Sequence, residues 1–295
     1  MPFRYMRKNW RSGLKWLYLL VGLTGGVIAY QGLTFEKYTD SISLQGYFEN
    51  RGVRAEVLDQ ELAYQGRVIR VSESDSISPL LVFIHGAPGS GMAFGRYLLD
   101  PELRQRFEMI SVDRPGYSPD DNFGSYRFNT QVKFLNSVIE YFSKPDQEVF
   151  LISHSYGGPI GILSAEINSK IKGHIMLSSV MEAKSEPVFF VSPLPLIWPF
   201  TFISSPAMRF SAVEKLHHQR QLINHLTNRF ATKRHQTRTW LVHGIQDWLA
   251  PMDNVQYGKS IVDPEMYHEI ILEDASHFIP WTRYDRIKAL ILELL

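Results

Sequence analysis

Three short segments of this 295-residue chain carry side chains that together could perform nucleophilic catalysis. Ser155 lies in SHSYGG, where an apolar stretch gives way to small residues that open a helical pattern. Asp247 follows the apolar segment TWLVH, and His277 follows the apolar segment HEIIL. A serine hydroxyl is a weak nucleophile that needs a neighbouring base, and a histidine oriented by a carboxylate is such a base. These residue types predict acyl transfer if the fold brings them together.

The residues around Ser155 suit a nucleophile, although the serine alone could equally be an ordinary helix N-cap. Small residues at Ser153 and Gly157 allow a strand and a helix to pass closely at a tight turn, which exposes the serine oxygen. The backbone N–H of Tyr156 then points from a helix amino terminus toward negative charge on a reacting oxygen. The segment HGAPG follows the apolar run LLVFI and offers the backbone N–H of Ala87 as a second donor.

Short β-branched runs alternate with helical patterns along most of the chain, which predicts a mainly parallel sheet with helices on both faces. A helix is predicted at residues 128–142, where apolar residues recur at helical spacing. Because parallel strands end at one sheet edge, we expect the loops that bear the three residues to converge. The predicted strands are RVIRV (67–71), LLVFI (80–84), EMISV (108–112), EVFLI (148–152), HIMLS (174–178), TWLVH (239–243) and HEIIL (268–272).

From about residue 54 to 295 the sequence resembles the α/β-hydrolase family. The chain order Ser155, Asp247, His277 follows that family's order, and DRPGYS resembles a loop that is common in it. The resemblance implies an α/β-hydrolase fold with an inserted helical cap at about residues 182–236. It also implies that Ser155 attacks an acyl carbonyl, that His277 transfers the proton, and that Asp247 orients the imidazole. The N–H groups of Ala87 and Tyr156 would form the oxyanion hole, and no cofactor or metal is implied.

The segment between HIMLS and TWLVH is longer than a simple crossover requires, which is the basis for the cap. Its first part is rich in proline and aromatic residues, and its second part, roughly residues 207–232, is polar and helical in pattern. This cap could line an apolar substrate pocket or lie against a membrane surface, with ordinary packing as the alternative. The predicted pocket residues are His85, which more simply organises its own loop, His154, Phe189, Trp198 and Trp248.

These motifs also allow other interpretations. Glu182 stands where some relatives keep the acid, although HGIQD with Asp247 matches better. HGAPG and DRPGYS also resemble loops of epoxide hydrolases, whose ester intermediate forms on an aspartate, whereas this chain has serine at that position. HGAPG resembles HGGPG of proline iminopeptidases, so an amide substrate is an alternative to an ester. Two further functions are possible for this fold. The chain could be a catalytically silent hydrolase-fold binding module at the membrane, or it could perform cofactor-free addition or cleavage chemistry.

Composition and charge argue against some kinds of catalytic residue and some classes of binding partner. The chain contains no cysteine, which excludes a disulfide framework and a thiolate nucleophile. Its net charge is +1, but the first fifteen residues alone carry +5, so the remainder carries −4. A folded part with a net negative charge argues against nucleic acid as a partner. A small-molecule acyl substrate is the expected ligand.

The amino-terminal segment suggests a membrane anchor. Residues 16–35 contain no charged side chain, and about 20 helical residues span a bilayer core. With the basic residues 1–15 on the cytoplasmic side, this pattern predicts a transmembrane helix, a connector at 36–53, and a catalytic domain at 54–295 on the non-cytoplasmic side, periplasmic in a bacterium. Two alternatives exist for this segment. It could be a cleaved signal of a secreted protein, with Val27 and Ala29 at the small-residue cleavage positions, or it could be a core helix of the soluble domain.

Overall fold

The computed structural model describes residues 40–61, 65–72, 78–118, 125–185, 193–202 and 204–293. Its centre is an eight-stranded sheet with the strand order β1-β2-β4-β3-β5-β6-β7-β8. The strands are β1 (Ala55–Glu61), β2 (Gln65–Val71), β3 (Leu80–Ile84), β4 (Glu108–Asp113), β5 (Val149–His154), β6 (Ile171–Leu177), β7 (Arg238–Gly244) and β8 (Tyr267–Leu272). The pairs β1–β2 and β2–β4 are antiparallel, and all later pairs are parallel. The prediction of a mainly parallel sheet is therefore confirmed.

Helices cover both faces of this sheet and connect its strands. They are α1 (Ser41–Glu49), α2 (Gly95–Leu98), α3 (Pro101–Arg106), α4 (Phe128–Phe142), α5 (Gly157–Ala165), α6 (Pro206–Leu222), α7 (Asp253–Ile261), α8 (Ile279–Thr282) and α9 (Tyr284–Glu293). Short 3₁₀ turns occur at Gly91–Phe94, Leu194–Leu196 and Phe200–Phe202, and α6 continues into a π-helical turn at Ile223–Thr227. Helix α6 lies between β6 and β7, in the segment where the cap was predicted, and we call this segment the cap.

Side-chain alternation along the central strand β3 divides the core into two layers. Leu80, Val82 and Ile84 join the hydrophobic cluster on one face of the sheet. Leu81 and Phe83 join the cluster on the other face. Successive strand residues point to opposite faces, so a strand covered on both sides must be apolar at every position. This explains why LLVFI is one continuous apolar run.

The seven predicted strands and the predicted helix at 128–142 are present, but the sequence did not reveal two elements near the amino end. Strand β1 was missed because its sequence, AEVLDQE, mixes acids with apolar residues. Helix α1 lies within the predicted connector 36–53. Its N-cap Asp40 accepts a hydrogen bond from the Ser43 N–H at 2.7 Å, and Leu44 and Phe48 are buried against the sheet.

The prediction of a transmembrane helix has to be corrected. Within the described ranges, no helix is both long and apolar enough to cross a bilayer. Even α6, with 17 residues, falls short of the about 20 that a span requires and carries several charged side chains. Residues 16–35, where the span was predicted, lie outside the described residues, as do the alternative signal-cleavage positions. For the part of the chain that the structure describes, the fold class stands without a membrane-spanning helix, and the predicted location on the non-cytoplasmic side of a membrane is withdrawn.

Candidate active site

Ser155 occupies the tight turn between β5 and α5, which we call the elbow (residues 153–157). Its φ is +51°, a left-handed conformation that costs a non-glycine residue about 1–3 kcal/mol and that clusters at functional sites. Backbone hydrogen bonds hold this conformation: the Ser155 N–H donates to the Leu177 carbonyl at 3.0 Å, and the Ser155 carbonyl accepts from Gly158 N–H at 3.0 Å. Tyr156, not Ser155, takes the N-cap position of α5, so Ser155 does not act as the helix cap.

Small residues at the elbow are required by its close approach to β3. A Cβ atom added at Gly157 would lie 2.6 Å from the Ile84 carbonyl oxygen, which no side chain tolerates. The serine at position 153, where the family commonly has glycine, is accommodated differently. Its hydroxyl lies 2.7 Å from the Nε2 atom of His174 on β6, and both side chains are fully buried. Burial lowers the pKa of His174 to about 3, so this imidazole is neutral.

The HGAPG loop after β3 lies directly against the elbow. A Cβ atom added at Gly86 would be 3.0 Å from the Cβ atom of Ser155. The His85 ring organises this loop, because its Nδ1 atom lies 2.6 Å from the Gly86 carbonyl oxygen and its Nε2 atom accepts from the Arg114 N–H at 3.1 Å. Burial, reinforced by the charge of Arg114, holds the pKa of His85 well below its usual range. A neutral His85 is therefore not poised to exchange protons.

The loops after β7 and β8 place Asp247 and His277 in direct contact. The His277 Nδ1 atom lies 2.9 Å from Asp247 Oδ2 and 3.1 Å from Oδ1. Asp247 Oδ1 also accepts from the backbone N–H groups of Leu249 and Ala250 at 3.0 and 2.8 Å. Burial alone would raise the pKa of Asp247, but the hydrogen bonds from His277 and Ala250 hold it below its usual value. The carboxylate is thus charged and fixes the orientation of the imidazole ring.

His154 connects the elbow to the histidine loop. Its Nε2 atom lies 2.9 Å from the carbonyl oxygen of His277, and the two ring centroids are 4.8 Å apart. Burial, together with the nearby His277, lowers the pKa of His154 to about 3, so the neutral ring donates this hydrogen bond. Within the described residues no hydrogen bond joins the Ser155 hydroxyl to His277, which is common in unliganded enzymes because such bonds tighten around substrate.

Among the described residues, no hydrogen bond or ion pair joins the alternative acid, Glu182, to His277. Its Oε1 atom accepts from the Lys184 N–H at 2.9 Å, and its own backbone N–H donates to the side chain of Asn254 at 2.8 Å. Of the two acids, Asp247 is the one hydrogen-bonded to His277. The described residues contain no group of three histidine, aspartate or glutamate side chains that could bind a metal ion.

The predicted pocket residues are placed unevenly. Trp198 in the cap and Trp248 in the acid loop are 76% and 66% exposed, so neither forms a closed wall. Phe189 lies outside the described residues. Two aromatic residues that the sequence analysis did not single out, Phe278 and Trp281, are half-exposed beside His277, with Trp281 packed edge-on against His154. Their position in DASHFIPW, directly after the histidine, was the available signal.

A buried charged cluster beside the HGAPG loop was also missed. Arg114 of DRPGYS forms a two-pronged ion pair with Glu214 on α6, with N–O distances of 2.8 and 3.1 Å. The Tyr117 hydroxyl donates to the same carboxylate, and Gln131 on α4 accepts from Arg114 at 3.4 Å. Arg114 is 1% exposed and Glu214 is not exposed at all. We call these four residues the Arg114 cluster; only the DRPGYS motif hinted at it, because Glu214 gives no sequence signal.

Comparison with known proteins identifies the family of this chain. The family model described as "Alpha/beta hydrolase family" matches residues 81–290. Among curated proteins, none matches the chain.

Solved structures are similar in fold at low sequence identity. A protein assigned as a lipase from Acinetobacter baumannii AYE superimposes with a TM-score of 0.63 at 18% identity, covering 86% of this chain and 95% of its own. A protein assigned as an aryl esterase from Burkholderia cenocepacia gives 0.61 at 17%, covering 82% and 97%. Epoxide hydrolase VrEH1 from Vigna radiata gives 0.59 at 15%, covering 82% and 97%. At these identities the similarity establishes the fold, and the chemistry must be argued from the site itself.

Proposed function

Because the chain belongs to the alpha/beta hydrolase family, we propose that it is a serine hydrolase that cleaves an ester bond through an acyl-enzyme on Ser155. One observation carries the proposal: His277, hydrogen-bonded to Asp247, is also linked to the strained turn of Ser155, because the adjacent His154 Nε2 lies 2.9 Å from the His277 carbonyl oxygen. With Nδ1 of His277 held by Asp247, the Nε2 atom is left to exchange protons, as a general base requires.

The proposed reaction has two halves. Ser155 Oγ attacks the carbonyl carbon of the ester while His277 Nε2 takes the hydroxyl proton. The N–H groups of Ala87 and Tyr156 stabilise the resulting oxyanion, and His277 then protonates the departing alcohol. In the second half, His277 removes a proton from water, the hydroxide attacks the acyl-enzyme, and the acid product leaves as Ser155 regains its proton. Asp247 stays ionised and stabilises the imidazolium in both halves.

The residues favour an ester over the other substrates considered. Epoxide hydrolases of this family form their intermediate on an aspartate, and this chain has Ser155 at the elbow. An iminopeptidase needs a free acidic group to bind the substrate's amine, whereas the buried acid Glu214 is already paired with Arg114 and Tyr117. The exposed aromatic side chains of Trp248, Phe278 and Trp281 around the histidine suit a substrate with an apolar part.

The proposal is tested by covalent labelling of the full chain with a fluorophosphonate, which reacts with activated serines. The wild-type protein should be labelled and Ser155→Ala should not. Ser164→Ala is the matched control, because its buried hydroxyl on α5 makes no hydrogen bond within the described residues and its loss should leave labelling unchanged. Equal labelling of Ser155→Ala and wild type, or no labelling of either, would rule out this nucleophile; the second result would favour a silent binding module.

A further inference from the structure

The cap helix α6 contacts the HGAPG loop of the proposed oxyanion hole through the buried side chain of Arg114. All five guanidinium hydrogens of Arg114 have acceptors. On one edge they bind Glu214 of α6 and Gln131 of α4. On the other edge Nε donates to the His85 carbonyl at 3.0 Å, and Nη2 donates to the Gly86 carbonyl at 3.0 Å. Arg114 therefore joins a carboxylate of the cap to two carbonyls of the HGAPG loop.

The Gly86 carbonyl matters because it shares a peptide unit with the Ala87 N–H. A trans peptide is planar, with its C=O and N–H pointing in opposite directions, so fixing one fixes the other. Two donors hold this carbonyl, Arg114 Nη2 and the His85 ring. A cation bound to the carbonyl also polarises the peptide and strengthens its N–H as a donor. The direction and strength of the Ala87 donor thus depend on where Arg114 is held.

Glu214 is what holds Arg114 in this place. Burial alone would lower the pKa of Arg114, but the facing carboxylate outweighs it and raises the pKa, so the guanidinium is charged. Both side chains are shielded from solvent, so no water replaces the carboxylate if it moves away. The same helix face also covers the second proposed donor residue, because the His218 ring, four residues after Glu214, packs 4.3 Å from the ring of Tyr156.

We propose that Glu214 is a positioning residue of the cap that, through Arg114, aims the Ala87 N–H at the oxyanion, so that the oxyanion hole is complete only while α6 is docked. This inference rests on the proposed function, since it assigns Ala87 to an oxyanion. Its consequence is that movement of the cap and stabilisation of the transition state are coupled. A substrate that displaces α6 is therefore hydrolysed slowly even when it binds well.

The test compares two cap variants of the full chain. Glu214→Gln keeps the shape of the side chain and removes its charge. Gln221→Ala is the matched control, because Gln221 lies two turns further along the same face of α6, binds the Phe128 N–H at 3.1 Å, and does not contact Arg114. With a para-nitrophenyl ester, Glu214→Gln should lower kcat about 10- to 100-fold at nearly constant KM, the effect of misplacing a group that acts in the transition state. Gln221→Ala should keep kcat within about twofold of wild type.

A second measurement does not depend on turnover. Selective ¹⁵N-alanine labelling gives an amide resonance for Ala87, assigned by its loss in Ala87→Gly. Glu214→Gln should shift this resonance and speed its exchange with solvent, and Gln221→Ala should leave it in place.

The outcomes separate the inference from the proposed function. A wild-type protein that resists the fluorophosphonate refutes the proposed function and its oxyanion hole, whatever the Ala87 resonance does. The positioning role is wrong if the wild-type protein is labelled but Glu214→Gln has the same kcat as Gln221→Ala. It is also wrong if Glu214→Gln changes only KM. An unchanged Ala87 resonance in Glu214→Gln refutes the coupling directly.

Discussion

The two halves of the candidate site are built in different ways. The elbow half is made by the loops after β3, β4 and β5. Its residues His85, Arg114 and Ser155 are buried, and an ion pair from the cap holds it. The acid–histidine half, made by the loops after β7 and β8, is held by hydrogen bonds within its own loops and lies at the edge of the sheet. It exposes Ile245, Trp248 and Phe278 to solvent.

This difference separates two requirements of catalysis. Donors to an oxyanion must be fixed before the charge develops, because reorganisation during the reaction would cost rate. A surface that receives varied apolar groups works best with side chains that can adjust. Under the proposed function, the elbow half serves the first requirement and the acid–histidine half serves the second, apart from its fixed Asp247–His277 pair.

The largest expected effect comes from breaking that pair. His277→Ala should lower kcat about 10⁵-fold or more, because it removes the base, and Asp247→Asn about 10⁴-fold, because it leaves the wrong imidazole tautomer. Steady-state hydrolysis of a para-nitrophenyl ester measures both. His268→Ala, an exposed histidine on β8 that stacks on Trp240, is the control and should keep full activity. Substantial activity in folded His277→Ala would remove that residue from the mechanism.

A smaller effect should follow from loosening the elbow half. In Gly157→Ala the new Cβ meets the carbonyl oxygens of Ile84 and His85 at 2.6 and 3.0 Å, so the elbow must move away from β3. A displacement of this size lowers kcat about 10²-fold and also lowers the melting temperature. Gly46→Ala on α1 is the control, since nothing lies within 4 Å of its new Cβ. Gly46→Ala should leave kcat unchanged and raise the free energy of unfolding by about 0.5–1 kcal/mol.

The adjustable surface should affect specificity more than chemistry. Trp248→Ala and Phe278→Ala should each lower kcat/KM for a long-chain ester about 10-fold and hardly change it for an acetate, since an apolar contact contributes only when the acyl chain reaches it. Tyr141→Ala removes an exposed aromatic ring on α4, remote from the loops of the site, and should alter neither value. Equal losses for short and long esters would show that these rings act on the reaction centre instead.

The smallest effect on catalysis is expected for a carboxylate outside both halves. Burial opposes ionisation of Glu166, but hydrogen bonds from His235 and Lys233 outweigh it and lower its pKa from 4.5 to about 2. Because the folded-state pKa is depressed, this group stabilises the protein above pH 4.5, and the contribution is lost as the pH falls toward 2. Urea unfolding should show wild type more stable than Glu166→Gln at neutral pH, with the gap closing over that range and kcat unchanged throughout. A constant gap would contradict this assignment.

Local pattern was enough to predict most strands and the convergence of the loops. Short apolar runs such as LLVFI, bounded by turn residues, are typical of buried strands, and parallel strands end at one edge, so Ser155, Asp247 and His277 were predicted to be neighbours. Contacts made by the cap could not be predicted this way. Glu214 and Arg114 are 100 residues apart, and a single acid in a polar helix does not show which residue it will face.

Two further misses have different causes. Strand β1 pairs only with β2 at the sheet edge, so it needs no alternating apolar pattern and did not show one. The half-exposed Phe278 and Trp281 were overlooked because single exposed aromatic residues are common on protein surfaces and acquire significance only beside His277.

The most direct test of the account is to trap the intermediate with a para-nitrophenyl dimethylcarbamate, which carbamoylates serine hydrolases and is released slowly. Full-chain protein is quenched in acid after nitrophenol release, digested, and analysed by mass spectrometry. The account predicts one carbamoyl group per chain, on Ser155, and none in Ser155→Ala. Nitrophenol release with no adduct on Ser155, or with the adduct on another residue, would contradict it.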